Sequence, residues 1–139
     1  MTWENWNGES SHNHPMFGGG LTWFSRHLAG VNVTTEGAGY RHFDVRPIPT
    51  EGLDSVYYSI ISPQGKVASR VESHNGKLKK LEVTVPVGSA ATVFLPAEAS
   101  QVKESGRSLK KGKGITAIAE DNGTTKVEIG QGKYFFAIE

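Results

Sequence analysis

Cysteine is absent from the 139 residues, so neither a disulfide nor a thiolate metal site can hold the fold together. An excess of one charge is missing too. Fifteen basic and 14 acidic residues leave a net charge of +1, which argues against a dedicated nucleic-acid or membrane-surface partner. No apolar run approaches the roughly 20 residues of a transmembrane helix. Met1 is followed at once by Trp3, Glu4 and Trp6, without the basic and apolar regions of a secretory signal. If the protein works outside the cytoplasm, its export signal is expected further upstream. A chain of this length suits one domain, and it can bury roughly two-thirds of the surface it exposes when unfolded.

Glycine is plentiful. Seventeen glycines and six prolines favour many short elements joined by tight turns, which points to β structure. The first 30 residues differ in texture from the rest. They hold all three tryptophans (Trp3, Trp6, Trp23) and three of the five histidines (His12, His14, His27). Residues 16–29 form the one convincing helix, with Phe17, Leu21, Phe24 and Leu28 on one apolar stripe at helical period. Pro15 suits the first turn, Asn13 or His14 the cap, and Gly30 the left-handed position past the end. The run Gly18-Gly19-Gly20 disfavours an isolated helix, since each interior glycine costs about 0.5–1 kcal/mol relative to alanine. It makes sense if another element packs closely there.

From about residue 40 the period changes to 2. Leu81, Val83 and Val85 alternate with Lys80, Glu82 and Thr84, and Val67, Ser69 and Val71 with Lys66, Arg70 and Glu72, as strands with one wet face do. Asn75-Gly76 between them is a two-residue hairpin signal. Pro63-Gln64-Gly65, Asn122-Gly123 and Gly130-Gln131-Gly132 mark further turns. Strands are expected near 40–47, 54–62, 66–73, 77–85, 90–95, 115–119, 124–129 and 133–138. About eight short antiparallel strands at this spacing suggest a jelly-roll-like β-sandwich behind one short helix. The Lys-, Ser- and Gly-rich segment 100–114 reads as an exposed loop or weak edge strand.

The strongest site candidate is Trp3-Glu4-Asn5-Trp6, followed by Ser11-His12-Asn13-His14. A carboxylate between aromatic rings is one way to build a sugar subsite, because flat apolar faces meet sugar C–H groups and desolvation tunes the acid. The plainer alternative makes Trp3 and Trp6 core aromatics and Glu4 a surface residue. His12 and His14 could be half of a metal site completed by Glu9 or His27, but they lie in a loop and no ligand pattern follows, so neither metal nor cofactor is expected. The basic stretch Lys103, Arg107, Lys110, Lys111 and Lys113 holds no aromatic for base stacking and reads as a solvated loop.

Several segments, taken in order, resemble one family. They are W-E-x-W at Trp3–Trp6, S-x-N-H-x-x-F-G at Ser11–Gly18, Gly37-Ala38-Gly39-Tyr40-Arg41-His42 with Arg46-Pro47, the run from Pro63 to Ser69, Val83-Thr84-Val85-Pro86, and the run from Ala91 to Pro96. Together they look like the carboxyl end of bacterial α-L-rhamnosidases, glycoside hydrolase family 78. The resemblance implies a large enzyme, bacterial and periplasmic or secreted, with an (α/α)₆ catalytic barrel and several β-domains. It implies hydrolysis of terminal α-L-rhamnosides with inversion, which needs two carboxyl groups about 6.5–9.5 Å apart. Residues 1–30 would then be the last loop and helix of the barrel, and residues 31–139 the carboxyl-terminal β-sandwich. Glu4 matches the family's general base, and His14 a histidine of the sugar subsite that Trp3 and Trp6 would flank. The stretch from Glu4 to His14 is short against the family pattern.

The general acid of the family lies upstream, and Asp44, Asp54 and Glu72 fall in strands away from Glu4. The chain therefore reads as an inactive carboxyl-terminal fragment of a glycosidase whose sandwich braces the barrel. A carbohydrate-binding module is the alternative, with Tyr40, Tyr57 and Tyr58 as the aromatic platform. A third reading is an assembly role, with a homodimer formed through the exposed stub helix.

Overall fold

The computed structural model describes residues 3–139, without the side chains of Met16 and Phe17. Among the described residues, eleven strands form two sheets. The first five are β1 (Val31–Val33), β2 (His42–Val45), β3 (Ser55–Ser62), β4 (Gly65–His74) and β5 (Lys77–Val85). They are followed by β6 (Ala90–Leu95), β7 (Val102–Glu104), β8 (Arg107–Ser108), β9 (Ile115–Asp121), β10 (Thr124–Ile129) and β11 (Gly132–Ile138). One sheet runs β1-β2-β6-β10-β9 and the other β3-β4-β5-β11-β7-β8. All pairs are antiparallel except β2 with β6, where His42–Val45 lies beside Ala90–Val93 in parallel. This is the expected mainly-β sandwich with a short helix ahead of it.

Turn chemistry explains the hairpins. Asn75 and Gly76 sit at φ 49° and 68°, and Asn122 and Gly123 at 47° and 72°, the left-handed pair that a tight hairpin turn requires. The two sheets then close on each other through alternate residues. Phe43 and Val45 from β2, Val93 and Leu95 from β6, and Val127 and Ile129 from β10 meet Val67, Val71, Leu81, Val83 and Phe136 from the other sheet, each at 1% exposure or less apart from Phe136 at 2%. Each such side chain contributes about 1.5–3 kcal/mol through burial.

The strands absent from the sequence reading, β1, β7 and β8, have three, three and two residues, too few to show a period. Within the segment expected as loop or weak edge, β7 and β8 form a hairpin at the sheet's edge, turned by Ser105 and Gly106 at φ 49° and 73°.

The helix is shorter than its apolar stripe suggests. A 3₁₀ turn, Pro15–Gly18, leads into α1 (Gly19–Trp23), and the last turn, Phe24–Leu28, is π-helical. The glycine run weakens the α geometry, and the wide last turn brings Ala29 N–H to the Phe24 carbonyl at 3.1 Å. Leu21 is 74% exposed and Phe24 53%, while Leu28 is half-buried, so the middle of the stripe faces outward. Phe17, its first member, has a side chain outside the described set. Gly18, Gly19 and Gly20 have open space around them, so the close neighbour expected at that run is not found among the described residues.

The segment just after the helix is firmly held. Ser69, fully buried on β4, donates its hydroxyl to the Ala29 carbonyl at 2.8 Å. Arg46 N–H reaches the Gly30 carbonyl and Ile48 N–H the His27 carbonyl, both at 2.8 Å. A Cβ on Gly30 would lie 2.2 Å from the Pro47 nitrogen, and one on Gly37 only 1.8 Å from the His42 carbonyl oxygen. Gly37→Ala is therefore expected to lower the unfolding free energy by about 3 kcal/mol. Gly19→Ala, in open space and helical φ, should leave it unchanged or raise it by up to about 1 kcal/mol. Urea unfolding of the two variants beside the parent chain checks both; a silent Gly37→Ala would refute the close approach.

Candidate functional site

The segment 3–14 folds back on itself. Glu4 N–H donates to the Ser11 carbonyl at 2.8 Å, and Ser11 N–H returns to Glu4 Oε2 at 3.3 Å. Gly8 and Ser10 make the reversal at φ 77° and 65°. Trp3 stacks on His12, with ring centroids 4.7 Å apart and planes 17° from parallel. The other face of the loop is held by His12 Nε2 on the Gly8 carbonyl at 2.7 Å and by Asn7 Nδ2 on Glu9 Oε2 at 3.0 Å.

This reversal brings the His14 Nδ1 to 3.6 Å from Glu4 Oε2. Two groups thus address one carboxylate oxygen, the Ser11 amide and the His14 ring. Trp3 lies close by through its contact with His12. Trp6 does not join them and stands fully in solvent. The structure therefore pairs Glu4 with His14 and Trp3 with His12, with Trp6 apart. Among the described residues no group of three histidine, cysteine or acidic side chains is arranged to hold a metal ion. His27, one partner considered for such a group, packs against Trp23 at 5.2 Å between ring centroids.

A second polar cluster spans three strands of the five-stranded sheet. Thr92 on β6, buried, donates its hydroxyl to Glu128 on β10 at 2.9–3.0 Å and lies 3.2 Å from His42 Nε2 on β2. Thr34 Oγ1 meets His42 Nδ1 at 3.3 Å, and Lys126 stands 3.8 Å from Glu128. These residues share one sheet face because Asp44, Thr92 and Glu128 occupy one register row. Nothing local in the sequence announces the cluster, since it exists only through the parallel pairing of β2 with β6. It ties the seam together.

Of the three tyrosines considered as a platform, Tyr40 and Tyr58 are half-buried against the core and Tyr57 is exposed. Arg70 lies over the Tyr57 ring at 4.8 Å, so a cation occupies one of its faces.

The sequence pattern of one family, described as the bacterial alpha-L-rhamnosidase C-terminal domain, matches residues 30–110. The chain belongs to this family. An α-L-rhamnosidase of Formosa agariphila is 30% identical over 96% of the chain, which covers 15% of that relative. The α-L-rhamnosidase of Streptomyces avermitilis, whose structure was solved in complex with L-rhamnose, is 26% identical, with a TM-score of 0.74, over 93% of this chain and 12% of that one. The α-L-rhamnosidase from Dictyoglumus thermophilum is 28% identical, with a TM-score of 0.76, over 95% of this chain and 15% of that one. The chain thus spans about an eighth to a seventh of the length of the relatives it matches. Coverage of this chain that high takes in most of the segment ahead of residue 30 as well as the rhamnosidase C-terminal domain itself.

Two conformational details of the domain account for the Gly37-Ala38-Gly39-Tyr40 run. Gly37 N–H donates to the Thr34 carbonyl at 3.0 Å, and Gly39 and Tyr40 follow at φ 70° and 66°. This tight turn sets the Tyr40 ring edge-on to Phe43 at 5.9 Å. Burial, then a hydrogen bond with Tyr58, raises the Tyr40 phenol above its ordinary 10. Burial, then the charge of Glu104, raises Tyr134. Hydrogen bonding to Ser59, then to Lys66, lowers Tyr57. In an alkaline absorbance titration, Tyr57→Phe should remove the first phenol to ionise. Unfolded tyrosine titrates near 10, so the stability tied to neutral Tyr40 and Tyr134 is present below that pH and lost as pH rises through their raised folded values. The melting temperature should therefore fall above about pH 10, and more shallowly in Tyr134→Phe.

Proposed function

We propose that this chain is the carboxyl-terminal part of an inverting α-L-rhamnosidase acting on terminal α-L-rhamnosides. Residues 1–30 end its catalytic barrel in this reading, and residues 31–139 form an accessory sandwich. The observation that carries it is the pairing of Glu4 with His14, beside Trp3, in a member of the rhamnosidase C-terminal family. Glu4 is the general base. Its Oε2 accepts the Ser11 amide and faces the His14 ring, and its carboxylate takes the proton of the attacking water. His14 and Trp3 line the sugar subsite, and Trp6, fully in solvent, stands apart from it. The acid that protonates the leaving oxygen comes from elsewhere in the parent enzyme, since inversion needs a second carboxyl about 6.5–9.5 Å away.

A base without its acid gives no useful catalysis. The 139-residue chain should accordingly show no turnover of an aryl α-L-rhamnoside. Glu4→Gln in the parent enzyme should lower kcat by about 10²- to 10⁴-fold, with inverted product in the residual activity by NMR. Turnover by the chain alone, or an unaffected parent variant, would refute the assignment.

The outward Leu21 and Phe24 of the stripe, with the exposed Trp23 beside them, are covered by the rest of the barrel in the parent. In the separate chain such a patch drives association, and a homodimer through this helix is the expected form. Sedimentation velocity should show a dimer that Leu21→Glu/Phe24→Glu converts to monomer. A monomeric unmodified chain would count against it.

A further inference from the structure

The basic run between β7 and β9 does more than decorate a loop. It curls round a cavity of about 350 Å³ lined by Arg107, Lys110, Lys111, Lys113 and Lys133, with Glu104 as its acid. Lys133 is paired with Glu82 at 2.7 Å, and Glu104 accepts the Ser105 hydroxyl at 2.6 Å. Arg107, Lys110, Lys111 and Lys113 have no acidic partner among the described residues.

The backbone that carries these cations is pinned. Gly112 and Ile115 exchange hydrogen bonds at 2.9 and 3.0 Å, and Gly130 N–H donates to the Gly114 carbonyl at 2.8 Å. Gly114 lies flat against Tyr134, whose hydroxyl oxygen would be 2.1 Å from an added Cβ. Lys113 is held at φ 49°, where glycine or asparagine is the unstrained choice. Like charges that line one cavity repel, the more so within a Debye length of roughly 8 Å at physiological salt. An anion in the cavity relieves that repulsion, and the Arg107 guanidinium offers paired donors to two oxygens of one acidic group.

We infer that this cavity binds the acidic groups, carboxylate or sulfate ester, of a saccharide chain. The anion half of the inference stands on the cavity, and the saccharide half rests on the rhamnosidase reading. Nucleic acid is the poorer occupant. The aromatic ring that lines the cavity, Tyr134, is 4% exposed and directs its hydroxyl at the Gly130 and Gln131 carbonyls, so the lining offers no open ring for base stacking.

Isothermal calorimetry on the 139-residue chain tests this with an oligogalacturonate, a sulfated galactan, a neutral galactan and a single-stranded DNA oligonucleotide of similar length. Binding of either acidic saccharide supports the inference and identifies which acidic group is taken, provided the neutral one gives flat heats. K110A/K111A/K113A should weaken that binding about tenfold, while K66A/K77A/K79A, which removes the same charge elsewhere, should change it less than about twofold. Flat heats with both acidic saccharides would overturn the inference. So would DNA binding as tightly as they do, or equal losses in the two triple variants. The measurement involves neither Glu4 nor a rhamnoside, so its failure leaves the rhamnosidase reading standing, and failure of that reading leaves the anion site to be judged by its own heats.

Discussion

The hydrogen bond from the buried Ser69 hydroxyl to the Ala29 carbonyl is the contact on which the arrangement of this chain turns. It plants a polar group among the apolar residues of β4, where an unsatisfied carbonyl would cost about 1–3 kcal/mol. Around it, Gly30 presses against the Arg46–Pro47 backbone at a distance only glycine permits. The helix and the loop carrying Glu4 are thereby anchored at one end, by backbone atoms and not by the helix's own apolar stripe. The stripe is left free to face another surface.

The fold was legible because its signals are local. Alternation in β4 and β5 and the pair Asn75-Gly76 fix that hairpin within a stretch of chain whose neighbours are close in sequence. The short strands β1, β7 and β8 carry too few residues to show a period, and only pairing with neighbours makes them strands. The helix is a different case. Its stripe has the right period, but three consecutive glycines lower helix propensity, so 3₁₀ and π turns replace much of the α geometry.

The candidate site divides in the same way. The tryptophan-flanked Glu4 and the nearby His14 stood out in the sequence, their roles implied by the family resemblance, and the reversal at Gly8 and Ser10 brings the two side chains together. The distribution of the tryptophans was not readable, since Trp3 stacks on His12 while Trp6 stays in solvent. The His42, Thr92 and Glu128 cluster lay beyond sequence reasoning altogether. Its members are far apart along the chain, and no short motif encodes a parallel pairing. The cations of the 103–113 run were visible, but the cavity they surround depends on Tyr134, a residue of another strand.

The parallel seam of β2 with β6 carries an entropic consequence. The chain leaves the five-stranded sheet at Val45 and returns beside it at Ala90, and closing so long a span in an unfolded chain is costly. The strands built within that excursion, β3 to β5, pair with one another through tight turns and shorten the effective loop before the seam can close. The two halves of the sandwich are therefore not independent layers: the hairpins of one lower the cost of registering the other.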